Sequence, residues 1–384
     1  MHRYARGGEH AETSRCGAGC HPGLGSRADR GSSARGSAPS RGGIAGFSEN
    51  RLSAVRCTRR TSWRDVRRRR DHRRVGRVGV VLERPIATHA QQCGTHGSGE
   101  AAFVQNFSNI DVDDFRAMGE VWVEQRVLQD RLSIKAGRID FNNAFAGTDN
   151  GASFLNASMG YSPSIVAAPT FSLPTWGVEA TVSPWSLFNV GVGVFNGLDG
   201  APAPLGGTSR FQIAQAHQQW PLGRSPLVGR AGVGAWRHTI LFSALGAEPD
   251  ADPAVLGTRG WYATLDQTVW QGRSRSDDAD DHASIAVFAQ VGASSPNVQS
   301  VHAHRGGGFT LSGLLAARPA DLIGMGVTHA SWGTGRETTG ELFYQLPVTS
   351  QVSLVADVQR VRRLDGPSVR AFGNVATMRT VLSF

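Results

Sequence analysis

From about Arg116 to the terminal Phe384, apolar and polar residues alternate with period two in short segments separated by Gly, Pro, Asn and Asp. In 351–359, Val352, Leu354, Ala356 and Val358 form one face, and the intervening positions include Gln351, Ser353, Asp357 and Gln359. Leu342, Tyr344 and Leu346 oppose Glu341, Phe343 and Gln345, and Ile285, Val287, Ala289 and Val291 oppose Ser284, Phe288 and Gln290. Val178, Ala180 and Val182 oppose Glu179, Thr181 and Ser183; in 228–238 the contrast is weaker, with Ala231, Val233 and Ala235 against Arg230, Gly234, Trp236 and His238. The pattern predicts strands at 116–128, 131–139, 176–183, 187–196, 209–219, 228–238, 260–270, 283–294, 308–316, 321–332, 338–347, 350–360 and 371–384.

A soluble β-sandwich also alternates. Two features favour an all-β transmembrane antiparallel barrel instead. The segments run about 9–11 residues, the length a tilted strand needs to cross hydrocarbon. The last one also closes with Ala376, Met378, Thr380, Leu382 and Phe384 at alternate positions, the aromatic residue last. A membrane helix is excluded across the uncharged stretch 150–178, because Pro163, Pro169 and Pro174 interrupt it. Only helices and closed barrels satisfy every backbone group in lipid, so the barrel remains.

Charge divides the chain in two. Residues 1–100 hold 20 Arg and 8 Asp or Glu, a net +12, whereas 101–384 hold 20 basic and 23 acidic residues, a net −3. The basic head contains all four cysteines (Cys16, Cys20, Cys57 and Cys93), and Arg64–Arg74 alone carries seven arginines. It has neither helical nor strand periodicity and is expected to be disordered. Taken alone, it would suggest a nucleic-acid or anionic-membrane tail. A zinc reading of Cys16, Cys20 and His21 lacks a second pair at a recognised spacing. The head has no unbroken apolar run for a secretory signal, since Gly76, Arg77 and Gly79 interrupt Val75–Leu82. It is therefore expected to arise from a frame or start-site error.

The remainder resembles a known family, the carbohydrate-selective outer-membrane porins of the OprB type. The resemblance runs in order from Val104 to Phe384. It begins with Ser108-Asn109-Ile110-Asp111, GEVWVEQ at 119–125, KAGRIDFNNAF at 135–145 and Phe154-Leu155-Asn156-Ala157-Ser158. GVFNG at 193–197, GAWRHT at 234–239, Asp266-Gln267 and Val287-Phe288-Ala289 follow. RPAD at 318–321, ELFYQLP at 341–347 and Asp357–Gln359 complete the series. The resemblance implies a barrel of 16 strands passing monosaccharides by diffusion, so the 13 strands of this chain imply a barrel truncated at its front. It further implies that 140–175 is the third extracellular loop, which folds into the lumen in many porins. Outer-membrane lipid and the outer-membrane assembly machinery are the expected partners, with small neutral sugars as the solutes.

A pore that favours sugars needs hydrogen-bonding groups for hydroxyls, aromatic rings for C–H faces, and binding weak enough to permit exit. Glu120, Trp122, Glu124 and Arg126 share one face opposite Val121 and Val123 and are expected to line the lumen. Lys135, Arg230, Trp236, His238 and Gln267 are further lumen candidates, and Arg138 joins them more loosely because it breaks the parity of its strand. Leu382 and Phe384 are the candidate barrel-closing signal. No nucleophile–base–acid set, phosphate loop or metal cluster suggests an enzyme or a cofactor. Asp277, Asp278, Asp280 and Asp281 read as a solvated charge run, with a calcium site as the weaker reading. The alternatives to a sugar porin are a general diffusion porin and, remotely, a nucleic-acid-binding protein acting through the head.

Overall fold

The structure is a computed structural model that describes residues 56–60, 75–85, 103–110, 119–171, 173–197, 209–221, 227–243, 254–272, 282–298, 300–315, 317–366 and 368–383. Cys16, Cys20, His21, the Arg64–Arg74 run, the four aspartates at 277–281 and Phe384 lie outside the described residues.

All thirteen expected strands are present. They are β3 (Glu120–Val127), β4 (Leu132–Ile139), β5 (Thr175–Trp185), β6 (Phe188–Asn196), β7 (Arg210–Pro221), β8 (Val228–Ser243) and β9 (Ala254–Gln271). Then come β10 (Ser284–Ser294), β11 (Ala303–Ser312), β12 (Leu322–Trp332), β13 (Gly335–Pro347), β14 (Val352–Asp365) and β15 (Ser368–Ser383). Each pairs antiparallel with the next in sequence.

Two short stretches of the head belong to the sheet. They are β1 (Arg56–Arg60) and β2 (Val75–Pro85), and β2 pairs antiparallel with β3. The sheet closes as a barrel between β1 and β15. A thirteen-strand sheet would leave two rows of unpaired backbone groups, and the valine-rich stretch from Val75 satisfies one of them. With fifteen strands the up-and-down alternation cannot close on itself. One seam must be parallel, and it is: β1 meets β15 through only Cys57↔Leu382 and Thr58↔Ser383.

The barrel is turned inside out relative to a soluble protein. Val178, Val182, Val233, Val291, Leu342, Leu354 and Val358 are exposed on the outer face, while Glu179, Gln290, Glu341, Asp357 and Gln359 are buried on the inner one. The predicted greasy and wet faces therefore point to lipid and lumen respectively. No described helix is long and apolar enough to cross a membrane. The 140–174 connection lies at one end, and the β13–β14 turn and the end of β15 lie at the other. Long extracellular loops and short periplasmic turns are the rule for such barrels, which puts the 140–174 end outside.

Candidate functional site

The 140–174 connection does not project from the barrel but folds back inside it. Two short 3-10 turns, Phe141–Asn143 and Gly151–Ser153, and one helical turn, Ala157–Gly160, shape it. Asp140 caps the first by accepting from the Asn142 N–H, and Asn156 caps the helical turn by accepting from the Ser158 N–H.

Two apolar clusters press this loop to the inner wall. Phe141, Phe145 and Ile165 pack with Phe195, Phe211, Trp236 and Tyr262. Phe154, Leu155 and Met159 pack with Phe288, Phe343 and Val355. Phe154 and Phe343 meet edge to face at 4.8 Å between ring centres. The wall yields space for these rings through glycine: a Cβ on Gly324 would lie 2.2 Å from Phe343 and one on Gly326 3.0 Å from Phe154.

Wall carboxylates hold the loop backbone. Asp266 accepts from the backbone N–H of Asp149 and of Asn150 and from Asn150 Nδ2, each at 3.0 Å. Glu341 accepts from the N–H of Leu155 at 2.6 Å and of Asn156 at 3.1 Å. Glu120 accepts from the N–H of Asp140 at 2.8 Å and from Asn143 Nδ2 at 3.0 Å. Such a paired acceptor suits N–H groups that the irregular backbone leaves unsatisfied.

A second segment, 103–110, also enters the lumen. Its Val104 and Gln105 N–H groups donate to Glu337 at 2.9 and 2.8 Å. Arg379 donates to Ser108 and Asn109 at 2.8 and 2.9 Å, and the Asn109 N–H donates to the Leu155 carbonyl at 2.7 Å. The first resemblance motif therefore anchors this segment to both the wall and the loop.

Several expected lumen residues lie together on the inner face. Glu124 accepts from Arg126 Nε at 2.8 Å and from Ser133 Oγ at 2.7 Å. Across the sheet Lys135 reaches Glu179 at 3.5 Å and sits 4.6 Å above the Trp122 ring. Farther round, Arg230 contacts Asp149 at 3.2 Å, Asp266 at 3.8 Å and the Gly147 carbonyl at 3.1 Å, tying loop to wall. Beside it is a recess of about 90 Å³ lined by Asn142, Asn143, Asp149, Gln215, His217 and Arg230, among others. That space holds several waters or the hydroxylated edge of a small solute.

Four candidates are placed differently from the expectation. Trp236 and His238 face inward but are buried, at 3% and 0% exposure, with Trp236 packed under the loop's Phe141 and Phe145. Trp236 stacks on Phe211 at 6.1 Å and belongs to the packing rather than to an open path. Gln267 faces outward, opposite Val287, and accepts from Trp220 Nε1 at 2.9 Å. Its neighbour Asp266 is the inward residue. Arg138 shares the outer face with exposed Ile134, its Nε donating to the Gly119 carbonyl at 3.0 Å near the rim. Among the described residues no group of three or more His, Cys, Asp or Glu is arranged to hold a metal ion.

Burial raises the Asp140 carboxyl above the usual carboxylate range, although N–H groups of Asn142 and Phe171 oppose the shift. A group that binds its proton more readily folded than unfolded contributes most in acid, and that contribution falls as pH rises through the raised value. Asp140→Asn keeps an acceptor and deletes the charge. The gap between thermal midpoints at about pH 5 and about pH 8 is therefore expected to narrow, and an unchanged gap would show that Asp140 does not titrate in this range.

No curated protein matches the sequence. Two solved structures of Pseudomonas putida OprB do resemble the fold. The high-pH structure matches with a TM-score of 0.63 at 15% identity, covering 80% of this chain and 81% of that one. The low-pH structure gives a TM-score of 0.47 at 15% identity, over 80% and 78% of the two chains. The family described as carbohydrate-selective porin, OprB family, matches residues 84–384, reaching back past the boundary expected at residue 101. The chain belongs to the carbohydrate-selective porins of the OprB family, outer-membrane barrels through which sugars diffuse passively.

Proposed function

We propose that the sugar path runs between the in-folded loop and the inner wall of β3, β4, β7 and β8, and that it admits monosaccharide-sized neutral solutes. The carrying observation is the polar recess where the loop's Asn142, Asn143 and Asp149 face the wall's Gln215, His217 and Arg230. These groups alternate donors and acceptors, as a sugar's hydroxyls require, and their charges are partnered within the protein. The Glu124–Arg126 and Lys135–Glu179 pairs continue the polar wall, with Trp122 offering a ring face.

Planar-bilayer conductance measured against added glucose tests this reading. Glucose is expected to reduce the current reversibly, and Arg230→Ala is expected to raise the half-blocking concentration several-fold. Liposome swelling that follows solute size alone, with no glucose block, would identify a general diffusion porin instead. The proposal includes no chemical step, so sugar is expected to emerge unaltered inside liposomes.

We also read Leu382, which pairs with Val352, together with the terminal Phe384 as the signal for the assembly machinery. The basic head is read as the product of a frame or start-site error. An upstream coding frame for a signal peptide and further strands would support that reading, and its absence from the DNA would remove it.

A further inference from the structure

The described charged residues on the outer face of β3–β15 are all of one sign. Among the described side chains of β3–β15, no Asp or Glu faces lipid; Asp365 at the tip of β14 lies opposite the inward Gly335. Arginines do face lipid, and they lie in the half of the wall next to the extracellular end. Arg237 of β8 and Arg259 of β9 are directly opposite each other in the register and both are exposed. Like charges directly opposite in a sheet repel. Neither arginine has a carboxylate partner among the described residues. Gln212 of β7 flanks Arg237 on the other side and offers no compensating charge.

Below this pair the wall is concave. A groove of about 660 Å³ is lined by Val192, Val194, Ala214, Ala235, Trp261 and Ala293, with Arg237 and Arg259 at its edge. The same order recurs farther round the barrel. There Arg305 faces His329 across β11 and β12, Arg362 lies opposite Thr338, and Arg360 covers the outward Phe372 ring at 4.7 Å. Cations above apolar surface on the outer-leaflet side match an amphiphile with an anionic head and hydrocarbon tails.

We propose that the Arg237–Arg259 pair and the groove beneath it bind a phosphorylated glycolipid of the outer leaflet. The phosphate bridges the two guanidinium groups and an acyl chain lies along Val192, Val194 and Trp261. A phosphate between the two cations removes their repulsion, and guanidinium is well suited to bidentate recognition of it. A lipid-borne phosphate differs from a free one because its chains add apolar burial in the groove.

The test uses the full-length protein in a neutral detergent. Binding of lipopolysaccharide, of the same glycolipid stripped of phosphate, of phosphatidylcholine and of inorganic phosphate is compared by native mass spectrometry. Heat-unfolding shifts provide a second reading. Lipopolysaccharide is expected to bind about tenfold or more tightly than the stripped form. The double variant Arg237→Gln/Arg259→Gln is expected to lose that advantage while retaining wild-type conductance. If the double variant fails to fold, Gln212→Glu is the second probe. It sets a carboxylate against Arg237 and is expected to weaken lipopolysaccharide binding without removing either arginine. Equal binding by wild type and variant, or by phosphorylated and stripped lipid, overturns the proposal. Inorganic phosphate that competes fully would overturn the lipid as occupant.

Discussion

Val358→Arg is expected to lower the stability of the inserted barrel by about 2–4 kcal/mol, the cost of arginine at the lipid midplane. Val358 lies in the middle of β14, is 51% exposed, and has Leu342 and Ala376 as its lateral partners on the same outer face. On a soluble protein such an exposed position tolerates substitution within about 0.5 kcal/mol. The two readings of the fold therefore differ severalfold at one residue. Urea unfolding in phosphatidylcholine vesicles, with and without the substitution, measures the difference. A loss under about 0.5 kcal/mol would mean that this face does not meet hydrocarbon.

Asp266→Ala should release the loop from the wall near the recess. The substitution removes the acceptor for three donors at 3.0 Å and one of the contacts of Arg230. Hydrogen bonds to a charged group contribute about 1.5–3 kcal/mol each, so several kcal/mol of local restraint is lost. Single-channel conductance is expected to rise several-fold and glucose block to weaken. The strand ladders on either side of Asp266 are backbone bonds, so the barrel should still form, with a lowered unfolding midpoint. An unchanged conductance would show that this loop does not set the narrowest passage.

The period of two carried most of the fold, because lipid and lumen demand opposite chemistry at neighbouring residues. Every strand from β3 onward was legible for that reason. Their extracellular ends were not. The predicted segments 308–316, 338–347 and 350–360 omit Ala303–Gly307, Gly335–Glu337 and Val361–Asp365. In those stretches Arg305, Arg336 and Arg362 occupy outward positions, so the greasy face turns cationic where it approaches the rim and the alternation disappears.

Gln267 was misplaced for a related reason. Its polarity suggests the lumen, but at the periplasmic rim it pairs outward with Trp220. The loop anchors were hidden differently. Asp266, Glu341 and Gln359 all lie in motifs that carried the family resemblance, yet their partners are distant in the chain. Gln359, for example, donates to the carbonyl of Phe107. Local sequence shows a wet face but not which backbone it will hold. The parity of Trp236 and His238 points inward, but only the fold shows that both are buried rather than open to a path.

The carboxylates that fasten the in-folded segments have a consequence for how the pore attracts solutes. Asp266, Glu341 and Glu337 each face paired N–H groups, and Glu124 and Glu179 each face a cation. Fields from the matched pairs, Glu124 with Arg126 and Glu179 with Lys135, fall off within a few ångströms, well inside the roughly 8 Å screening length of physiological salt. Little long-range potential then reaches the mouth from these groups to steer ions of either sign. Capture by diffusion alone makes the rate of entry insensitive to ionic strength, a condition that penalises charged competitors more than a neutral solute.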